Sequence, residues 1–347
     1  MMTAGSSSFS SQELARVLSH YDLGIIRHIR SLAGGSRSAP KMVVTAEKGK
    51  FIIKRRPHGK DNPQRVTFAH SVQKHLKQRQ FPVAGLIATI DENDTVLHLG
   101  SHIYELFEFV TGRRYDESLK ETMDAGRQLG VFHLYLRSFS SEIKPPCGGF
   151  HDSRLVRTQL KSLDSEKSSV RPSDQMRVVV QNLMTLYNGS AIHVNELGFD
   201  SWREQIIHGD WHPGNMLFSH NKIAAVLDFD STKLASPITD LANGLLQFSI
   251  VAGRPNPANW PDYLDDAKLI SFLEGYRKVV KLQISHLNAL LDLMIETMIA
   301  EAVLPVAATG SFGNLSGVEF LEMIYRKCRW ITENREMLAE AIIKQEN

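Results

Sequence analysis

The alternation of hydrophobic and polar positions changes its period once along the chain, near residue 112. Before that residue, short β-branched and aromatic runs alternate with turns rich in Gly, Asn and Asp, a pattern that predicts antiparallel strands. Three of these runs, 25–29, 42–45 and 51–54, follow one another at short intervals and predict a meander. After residue 112 the apolar positions recur every three or four residues, which predicts helices. The pattern therefore predicts an α+β fold with a β-rich N-terminal lobe and a mostly helical C-terminal lobe.

Other runs extend the two predicted lobes. In the N-terminal lobe we expect a short helix capped by Ser11, a helix at 63–80, a hairpin of strands 87–90 and 96–99, and a strand at 102–110. In the C-terminal lobe we expect a loop at 162–175, with helices at 119–139 and 152–163 before it and a helix from its end to about 187. Further helices are expected at 238–252, 262–280, 284–303 and 317–345. We divide the chain into a mobile tail at 1–11 and lobes at 12–111 and 112–347.

The charge balance limits the classes of protein to which the chain can belong. Lys and Arg number 40 against 38 Asp and Glu, and this net charge of +2 lacks the basic excess of nucleic-acid binders and membrane-surface proteins. The most apolar stretch, 289–308, is interrupted by Asp292, Glu296 and Glu301, so it predicts a buried helix rather than a membrane span. We therefore expect neither a nucleic-acid partner nor a membrane partner.

The cysteines and the N-terminus bear on the cellular compartment. Cys147 and Cys328 lie far apart in the sequence, and two cysteines form neither a disulfide framework nor a cysteine zinc site. Residues 1–11 are Ser-rich and lack the apolar segment of a secretory signal. Both observations favour the reducing cytoplasm.

The densest polar motif lies between apolar strands, in residues 206–218. Asp210 and Asn215 fall on one loop, and Asp228 comes at the end of the next strand. Phosphoryl transfer needs a carboxylate that accepts the proton of a hydroxyl, and oxygen ligands that hold Mg²⁺ against the phosphates. An Asp with an ordinary pKa of about 3.9 is ionised at neutral pH and serves either purpose. The spacing therefore favours Asp210 as the base, with Asn215 and Asp228 as Mg²⁺ ligands.

Two other interpretations account for part of this motif. A solvated turn with capping side chains is also rich in Asp and Asn. A metallohydrolase would use His208, Asp210 and His212 as ligands together with Asp228. The metallohydrolase leaves Asn215 and the predicted meander unexplained, so we expect His208 to be a buried, hydrogen-bonded brace.

Three neighbours of the motif have open roles. His212 either supports the base or packs the loop. Trp211 either forms a wall of the acceptor site or packs in the core, which is the commoner fate of Trp. Asp230 either contacts a second metal ion or is structural.

At these residues the chain resembles the aminoglycoside phosphotransferase and choline kinase superfamily, which shares the protein-kinase-like fold. The family pattern H-G-D-x-x-x-x-N stands here as His208-Gly209-Asp210 with Asn215, followed by a strand that ends in Asp228. Asp240 matches the buried Asp that braces the catalytic loop of the family. The resemblance implies a bilobal kinase-like fold and an enzyme that moves the γ-phosphate of ATP or GTP to a hydroxyl of a small metabolite, with Mg²⁺ as cofactor.

The resemblance extends less sharply over most of the chain and implies the nucleotide contacts. Lys54 falls where the phosphate-contacting Lys of the family lies. Gly34 and Gly35 fall on the loop over the phosphates, although the string G-x-G-x-x-G is not present. The carbonyl of Glu108 and the N–H of Val110 would meet the adenine edge.

One departure from the family concerns Lys54. The family usually places a Glu on the N-lobe helix to pair with this Lys, but the chain has no Glu between Asp61 and Gln80. By pattern the expected position is near Ala69 and His70. A neutral His70 could accept a hydrogen bond there, or nucleotide phosphates alone could order Lys54. The missing Glu leaves one alternative function, a nucleotide-binding regulator that transfers no phosphate.

The phosphate acceptor and the oligomeric state are left open by the sequence. Homoserine-kinase-like members of the family commonly show the string H-G-D-x-H-P-G-N, which this chain nearly reproduces at 208–215. The local string therefore gives a slight preference for homoserine-like acceptors over choline-like amines, aminoglycosides and sugars.

Overall fold

The structure, a computed structural model, describes residues 9–32, 39–164, 174–253 and 255–343. The helices, numbered α1 to α10 along the described chain, are Ser11–Leu18, Pro63–Gln78, Leu119–Leu136, Arg154–Asp164, Asp174–Glu196, Pro237–Ser249, Asp266–Arg277, Ile284–Thr309, Gly317–Glu333 and Arg335–Ile343. The strands, numbered β1 to β12 in the same way, are Ile26–Ser31, Lys41–Ala46, Gly49–Arg55, Leu86–Ile87, Leu97–Leu99, His102–Glu108, Gln205–Ile207, Met216–Ser219, Lys222–Val226, Lys233–Ala235, Ser311–Phe312 and Leu315–Ser316. The predicted α+β class is confirmed.

The described residues divide into two compact units. The first unit takes its residues from 1–114, 138–146 and 215–232, and the second from 115–137, 147–214 and 233–347. Each unit is therefore built from segments that are separated in sequence. The lobe boundary that the sequence pattern places after residue 111 stays a prediction.

The first unit is organised around an antiparallel sheet. Its strands follow the order β1-β2-β3-β6-β4, and β5 also pairs with β6. The predicted hairpin of 87–90 with 96–99 is wrong, because each of its strands pairs with β6 instead: Leu86 lies opposite Phe107, and Leu97 lies opposite Tyr104. The long strand β6 thus has room for one short partner near each of its ends.

Helix α1 closes one face of this sheet. Its Val17 and Leu18 belong to the same buried apolar cluster as Ile53 of β3 and Leu106 of β6. The cap is Ser10 rather than the predicted Ser11: the Ser10 hydroxyl accepts from the backbone of the third helical residue at 3.1 Å, and that residue's carboxylate accepts from the Ser10 N–H in return. This reciprocal pair satisfies two backbone donors at the helix start.

In the second unit, helices α3 and α7 approach each other closely because two glycines face the contact. A Cβ atom on Gly126 would lie 1.9 Å from the carbonyl oxygen of Phe272, and one on Gly275 would lie 1.9 Å from that of Met123. Any larger residue at either position would push the two backbones apart. This crossing fixes His133 and Tyr276, whose side chains are 2.9 Å apart.

Helix α8 is the buried helix predicted from the most apolar stretch. Asp292 accepts two hydrogen bonds from the Arg335 guanidinium, at 2.7 and 2.8 Å. Glu296 lies 2.9 Å from Nδ1 of His151. These partners compensate the buried charges, which would otherwise be costly. Across the described residues, no helix combines the length and apolar character needed to cross a membrane.

Two helical predictions in the second unit need correction. The helix predicted at 317–345 is divided into α9 and α10 at Asn334, whose side-chain amide donates to the carbonyl of Trp330 at 2.9 Å and so competes with the helical backbone. Helix α5 continues nine residues beyond its predicted end at 187. Of the predicted loop, residues 165–173 lie outside the described chain.

Candidate active site

A buried carboxylate in the second unit fixes the loop that follows β7. Asp240, at the start of α6, accepts hydrogen bonds from the backbone N–H groups of His208 at 2.8 Å and Gly209 at 2.9 Å. His133 on α3 lies 3.2 Å from the same carboxylate. Burial acts to raise the pKa of Asp240, but His133 and the loop amides outweigh it and the pKa is lowered. Asp240 is thus an ionised brace, as the resemblance implies.

Gly209 gives the braced loop its shape. Its φ of 76° lies in the left-handed region, which a side chain makes costly. The same residue presents its N–H to Asp240. The turn therefore delivers Asp210 to the loop surface with the backbone on both sides of Gly209 fixed.

Asp210 is half-buried, with 40% of its side chain exposed, and His212 lies beside it. Nδ1 of His212 accepts from the N–H of Gly214 at 3.0 Å. In the neutral ring, Nε2 therefore carries the proton, and it lies 3.6 Å from Oδ1 of Asp210. A Cβ at Gly214 would come within 2.7 Å of the His212 ring, so this contact requires glycine. Of the two roles left open for His212, the geometry favours support of Asp210.

Two other motif residues are part of the core. Trp211 is fully buried, and its ring lies 5.8 Å from Phe132 and 5.4 Å from His208, measured between centroids. His208 is also fully buried among these rings. The structure therefore places Trp211 in the core rather than in the wall of an acceptor site, and His208 is buried as expected.

The hairpin β8–β9 of the first unit brings the two predicted metal ligands to one end. Met216 lies opposite Val226, and the N–H of Leu227 donates to the carbonyl of Asn215 at 2.8 Å. Asn215 precedes β8 and Asp228 follows β9 by two residues, so both lie at the base of this hairpin.

The backbone at Asp228 is unusual. It has φ 58° and ψ 78°, a left-handed conformation that residues other than glycine adopt rarely and at a cost. A carboxylate and a carboxamide oxygen at one hairpin base are hard donors of the kind that Mg²⁺ prefers. The residues present therefore fit a Mg²⁺ ion that nucleotide phosphates would complete.

Lys54 lies on β3 beside two acids. Its Nζ lies 3.6 Å from Oε2 of Glu105 and 3.6 Å from Oδ2 of Asp230. Only 12% of the Lys54 side chain is exposed. Of the two roles left open for Asp230, these contacts and a 2.7 Å hydrogen bond from Arg56 favour a structural one.

Glu105 is a site residue that the sequence analysis missed. It lies in the middle of β6, directly opposite Lys54, and is fully buried. Burial acts to raise its pKa, but Lys54, a hydrogen bond from His70 and the Arg56 guanidinium outweigh burial and hold the pKa well below its usual range. The available sequence signal was a lone acid in the centre of an apolar strand run, which is rarely placed there without a partner.

A second lysine lies beside Lys54. Lys41 begins β2 and is the cross-strand partner of Lys54 in the β2–β3 register. Burial lowers the pKa of Lys41 and the nearby Lys54 lowers it further, whereas Asp228 and Asp230 act in the opposite direction. Positive charge thus accumulates near the predicted metal ligands.

The remaining predicted nucleotide contacts have different outcomes. Gly34 and Gly35 lie outside the described residues. Glu108 ends β6 with its N–H donating to the carbonyl of Gly85 at 2.7 Å, and its carboxylate accepts from Lys77 at 2.8 Å. Val110 follows β6 in a half-buried position. The adenine contacts of Glu108 and Val110 stay predictions.

Glu301 on α8 is a second acid that the motif did not reveal. Its carboxylate accepts from the side-chain amides of Asn243 at 2.9 Å and Gln247 at 2.7 Å, both on α6. Burial raises the pKa of Glu301 to about 7, and the negative charge of Asp210 adds to the effect. The negative charge of the candidate base therefore affects Glu301.

The comparisons with known proteins agree with this geometry. The model of the phosphotransferase enzyme family matches residues 28–279, well over half of the chain. Among curated proteins, none matches the sequence.

Solved structures resemble the whole chain at low sequence identity. The amicoumacin kinase hAmiN in complex with AMP-PNP, Ca²⁺ and Ami is 18% identical with a TM-score of 0.65, over 92% of this chain and 94% of that kinase. An aminoglycoside phosphotransferase from Alicyclobacillus acidocaldarius is 17% identical with a TM-score of 0.68, over 98% of both chains. The microcompartment-associated aminopropanol kinase is 14% identical with a TM-score of 0.70, over 95% of this chain and 99% of that one.

At these identities the likeness to solved structures establishes the fold, and the family match establishes the kind of enzyme. The chain belongs to the phosphotransferase enzyme family, has its protein-kinase-like fold, and is a small-molecule kinase.

Proposed function

We propose that the chain transfers the γ-phosphoryl group of ATP or GTP to a hydroxyl of a small metabolite, with Asp210 as the base. The observation that carries this proposal is the loop braced by Asp240, which presents Asp210 five residues before Asn215 and ahead of Asp228. Phosphoryl transfer relies mostly on positioning and charge stabilisation. A carboxylate on a fixed backbone meets the first of these needs.

In this proposal each residue has one task. Asp210 accepts the proton of the acceptor hydroxyl as its oxygen bonds to the γ-phosphorus and the nucleoside diphosphate leaves. Asn215 and Asp228 hold Mg²⁺, which when bound neutralises charge on the phosphates. Lys54 contacts the phosphates.

The nucleotide would be oriented by the first unit. The carbonyl of Glu108 and the N–H of Val110 would meet the adenine edge, with Gly34 and Gly35 over the phosphates. AMP-PNP and ADP occur in related solved structures, together with Ca²⁺ in one of them, and this supports a nucleotide and a divalent cation.

We further propose that the acceptor carries a positive charge near its hydroxyl. Glu301 is ionised only in part at neutral pH, because burial and the charge of Asp210 raise its pKa to about 7 against the hydrogen bonds from Asn243 and Gln247. An ammonium group bound between the two carboxylates would remove this repulsion. The similar solved structures include an aminopropanol kinase and a choline kinase. The homoserine-like string of the loop also favours an amine-bearing acceptor.

The test is release of ADP from MgATP across a panel of acceptors: homoserine, aminopropanol, choline, an aminoglycoside and an uncharged sugar. The intact chain is expected to respond to at least one amine-bearing acceptor. Asp228→Ala should lose turnover with loss of Mg²⁺ dependence, and Asp210→Asn should lose turnover while retaining nucleotide binding. Undiminished turnover in Asp210→Asn would reject the assignment of the base.

The non-catalytic regulator was favoured only by the missing helix Glu. Glu105 supplies a carboxylate beside Lys54, which weakens that argument. Tight nucleotide binding with no turnover across the panel, and with binding unchanged in Asp228→Ala, would favour the regulator over the enzyme.

A further inference from the structure

We propose that Glu105 is the positioning residue for Lys54 and takes the place of the helix glutamate that this chain lacks. The inference rests on the proposed function, because Lys54 has a catalytic task only if it contacts nucleotide phosphates. Lys54 and Glu105 are cross-strand partners of β3 and β6, so their side chains emerge on the same face of the sheet. The carboxylate therefore reaches Lys54 from the strand beside it, without a contribution from helix α2.

Glu105 itself is fixed by three contacts from two residues. Its Oε1 lies 2.7 Å from Nε2 of His70 and accepts from Arg56 at 2.9 Å, and its Oε2 lies 2.8 Å from Nε of Arg56. Nδ1 of His70 lies 2.9 Å from the Thr95 hydroxyl, which orients the imidazole. A carboxylate held by these partners gives the Lys54 ammonium a fixed anchor 3.6 Å away, and Asp230 is a second acid at the same distance.

His70 occupies the helix position where the family pattern places Glu. Its side chain is 1% exposed, and it contacts Glu105 rather than Lys54. Helix α2 is thus still connected to Lys54, but through an imidazole and a strand carboxylate. Compared with the family pattern, the carboxylate beside Lys54 comes from strand β6 instead of helix α2, and the helix residue His70 supports that carboxylate.

A neighbouring pair shows what a purely structural ion pair looks like in this sheet. Arg55 and Tyr104, each one position from the network, bind the carboxylate of Glu13 at 2.7 and 2.8 Å. Because side chains alternate along a strand, this pair lies on the face opposite to Lys54. Glu13 is therefore a matched control: a part-buried carboxylate with an arginine partner and no lysine to position.

The experiment measures ADP release from MgATP, with the best acceptor of the panel, in a double-mutant cycle of Glu105→Gln and Lys54→Met. Glu105→Gln is expected to lower kcat by about 10- to 100-fold, as misplaced catalytic groups do, with nucleotide affinity changed by less than about threefold. In the Lys54→Met background the same change is expected to have no further effect on kcat, because a positioning residue acts only through its target. Glu13→Gln is expected to leave kcat unchanged.

A variant that returns the carboxylate to helix α2 tests for recovery of kcat, which a loss of stability cannot produce. His70→Glu in the Glu105→Gln background returns a carboxylate to the helix position, and we expect it to restore kcat at least tenfold over Glu105→Gln alone. The proposal would be overturned if Glu105→Gln lowered kcat equally in the intact chain and in the Lys54→Met background. It would also be overturned if the kcat of Glu105→Gln stayed within about threefold of that of the intact chain.

A measurement without turnover separates this proposal from the proposed function. After ¹³C-dimethylation of the lysines, the NMR signal of Lys54 is identified by its absence in Lys54→Met. We expect its side chain to be restricted in the intact chain and more mobile in Glu105→Gln, but not in Glu13→Gln. If the intact chain released no ADP, the proposed function would fail, but the mobility of Lys54 would still test whether Glu105 positions it. Unchanged mobility of Lys54 in Glu105→Gln would overturn the present inference.

Discussion

Glu105 in the first unit and Glu301 in the second are both withdrawn from water, and their surroundings differ in charge. Glu105 is bound by Arg56, His70 and Lys54, and its pKa lies well below the usual range. Glu301 accepts from the neutral amides of Asn243 and Gln247, while burial and the charge of Asp210 raise its pKa to about 7. Burial opposes ionisation in both cases, so the charges of the neighbours decide the outcome.

The comparison indicates which site is complete without a ligand. The carboxylate of Glu105 has all its positive partners within the protein, as expected of a group that orients another side chain. Lys233 and His212 interact with the pair Glu301 and Asp210, yet the pKa of Glu301 stays raised, as expected of a group that gains from a cationic substrate. The predictions below change one side of this contrast at a time.

The largest effect is expected from Asp210→Asn. Turnover should fall about 1,000-fold, because a general base contributes that much to proton transfer. Removal of the Asp210 charge should also lower the pKa of Glu301, since Asp210 is one of the causes that raise it. ADP release measures the first effect and NMR titration of the Glu301 carboxyl the second. A Glu301 pKa that did not move would separate the two acids and break the comparison.

The next effect concerns stability. Glu105→Gln removes one of the two carboxylates beside Arg56 and Lys54 and leaves Asp230 as the other, which should cost about 3 kcal/mol in the free energy of unfolding at pH 7. Because the folded-state pKa of Glu105 is depressed, its contribution is present above the unfolded pKa and is lost as pH falls through the folded value. Urea denaturation at several pH values should therefore show a loss that shrinks only below about pH 4. Glu13→Gln is the comparison variant. If it lowered the free energy of unfolding as much as Glu105→Gln does, the contacts of Glu105 would be no more stabilising than an ordinary ion pair.

A smaller effect is expected on acceptor binding. Glu301→Gln should raise KM for an amine-bearing acceptor about tenfold, the equivalent of one modest ionic contact, with little change in kcat. In the intact chain this KM should fall as pH rises through about 7, where Glu301 ionises, and the dependence should vanish in Glu301→Gln. Asp210, His212 and Lys233 also interact with Glu301, so Asp210→Asn serves as a reference for binding. An uncharged acceptor whose KM rose equally would contradict the ammonium site.

The smallest effect is the stability change from Glu301→Gln. Between the unfolded pKa of about 4.3 and the folded value of about 7, the native state binds more protons, so stability falls as pH rises. The substitution removes this fall and should stabilise the chain by about 1 kcal/mol at pH 8 and not at pH 4. Denaturation of Glu301→Gln and of the exposed control Glu336→Gln measures it. A stabilisation that persisted at pH 4 would point to packing rather than charge.

Local patterns were enough to predict the loop that Asp240 braces. The string His208-Gly209-Asp210 needs a left-handed glycine and a carboxylate within three residues, and the structure has both. Helix α2 and strands β2 and β3 also follow their hydrophobic periods closely, because a period of 3.6 or 2 residues fixes which face is buried. Pairing was less predictable: β4 and β5 join β6 rather than each other, since short strands carry little information about their partner.

The sequence by itself determined the fold class, the predicted base and metal ligands, and the absence of a helix Glu opposite Lys54, because each of these depends on residues close together in the chain or on their periodicity. Only the tertiary structure decided what replaces that Glu and what faces Asp210. Glu105 meets Lys54 through the β3–β6 register, 51 positions along the chain, and Glu301 is coupled to Asp210 across 91 positions. Periodicity reports that a residue is buried but not which distant residue it is buried against, so electrostatic partners brought together by folding are outside its reach.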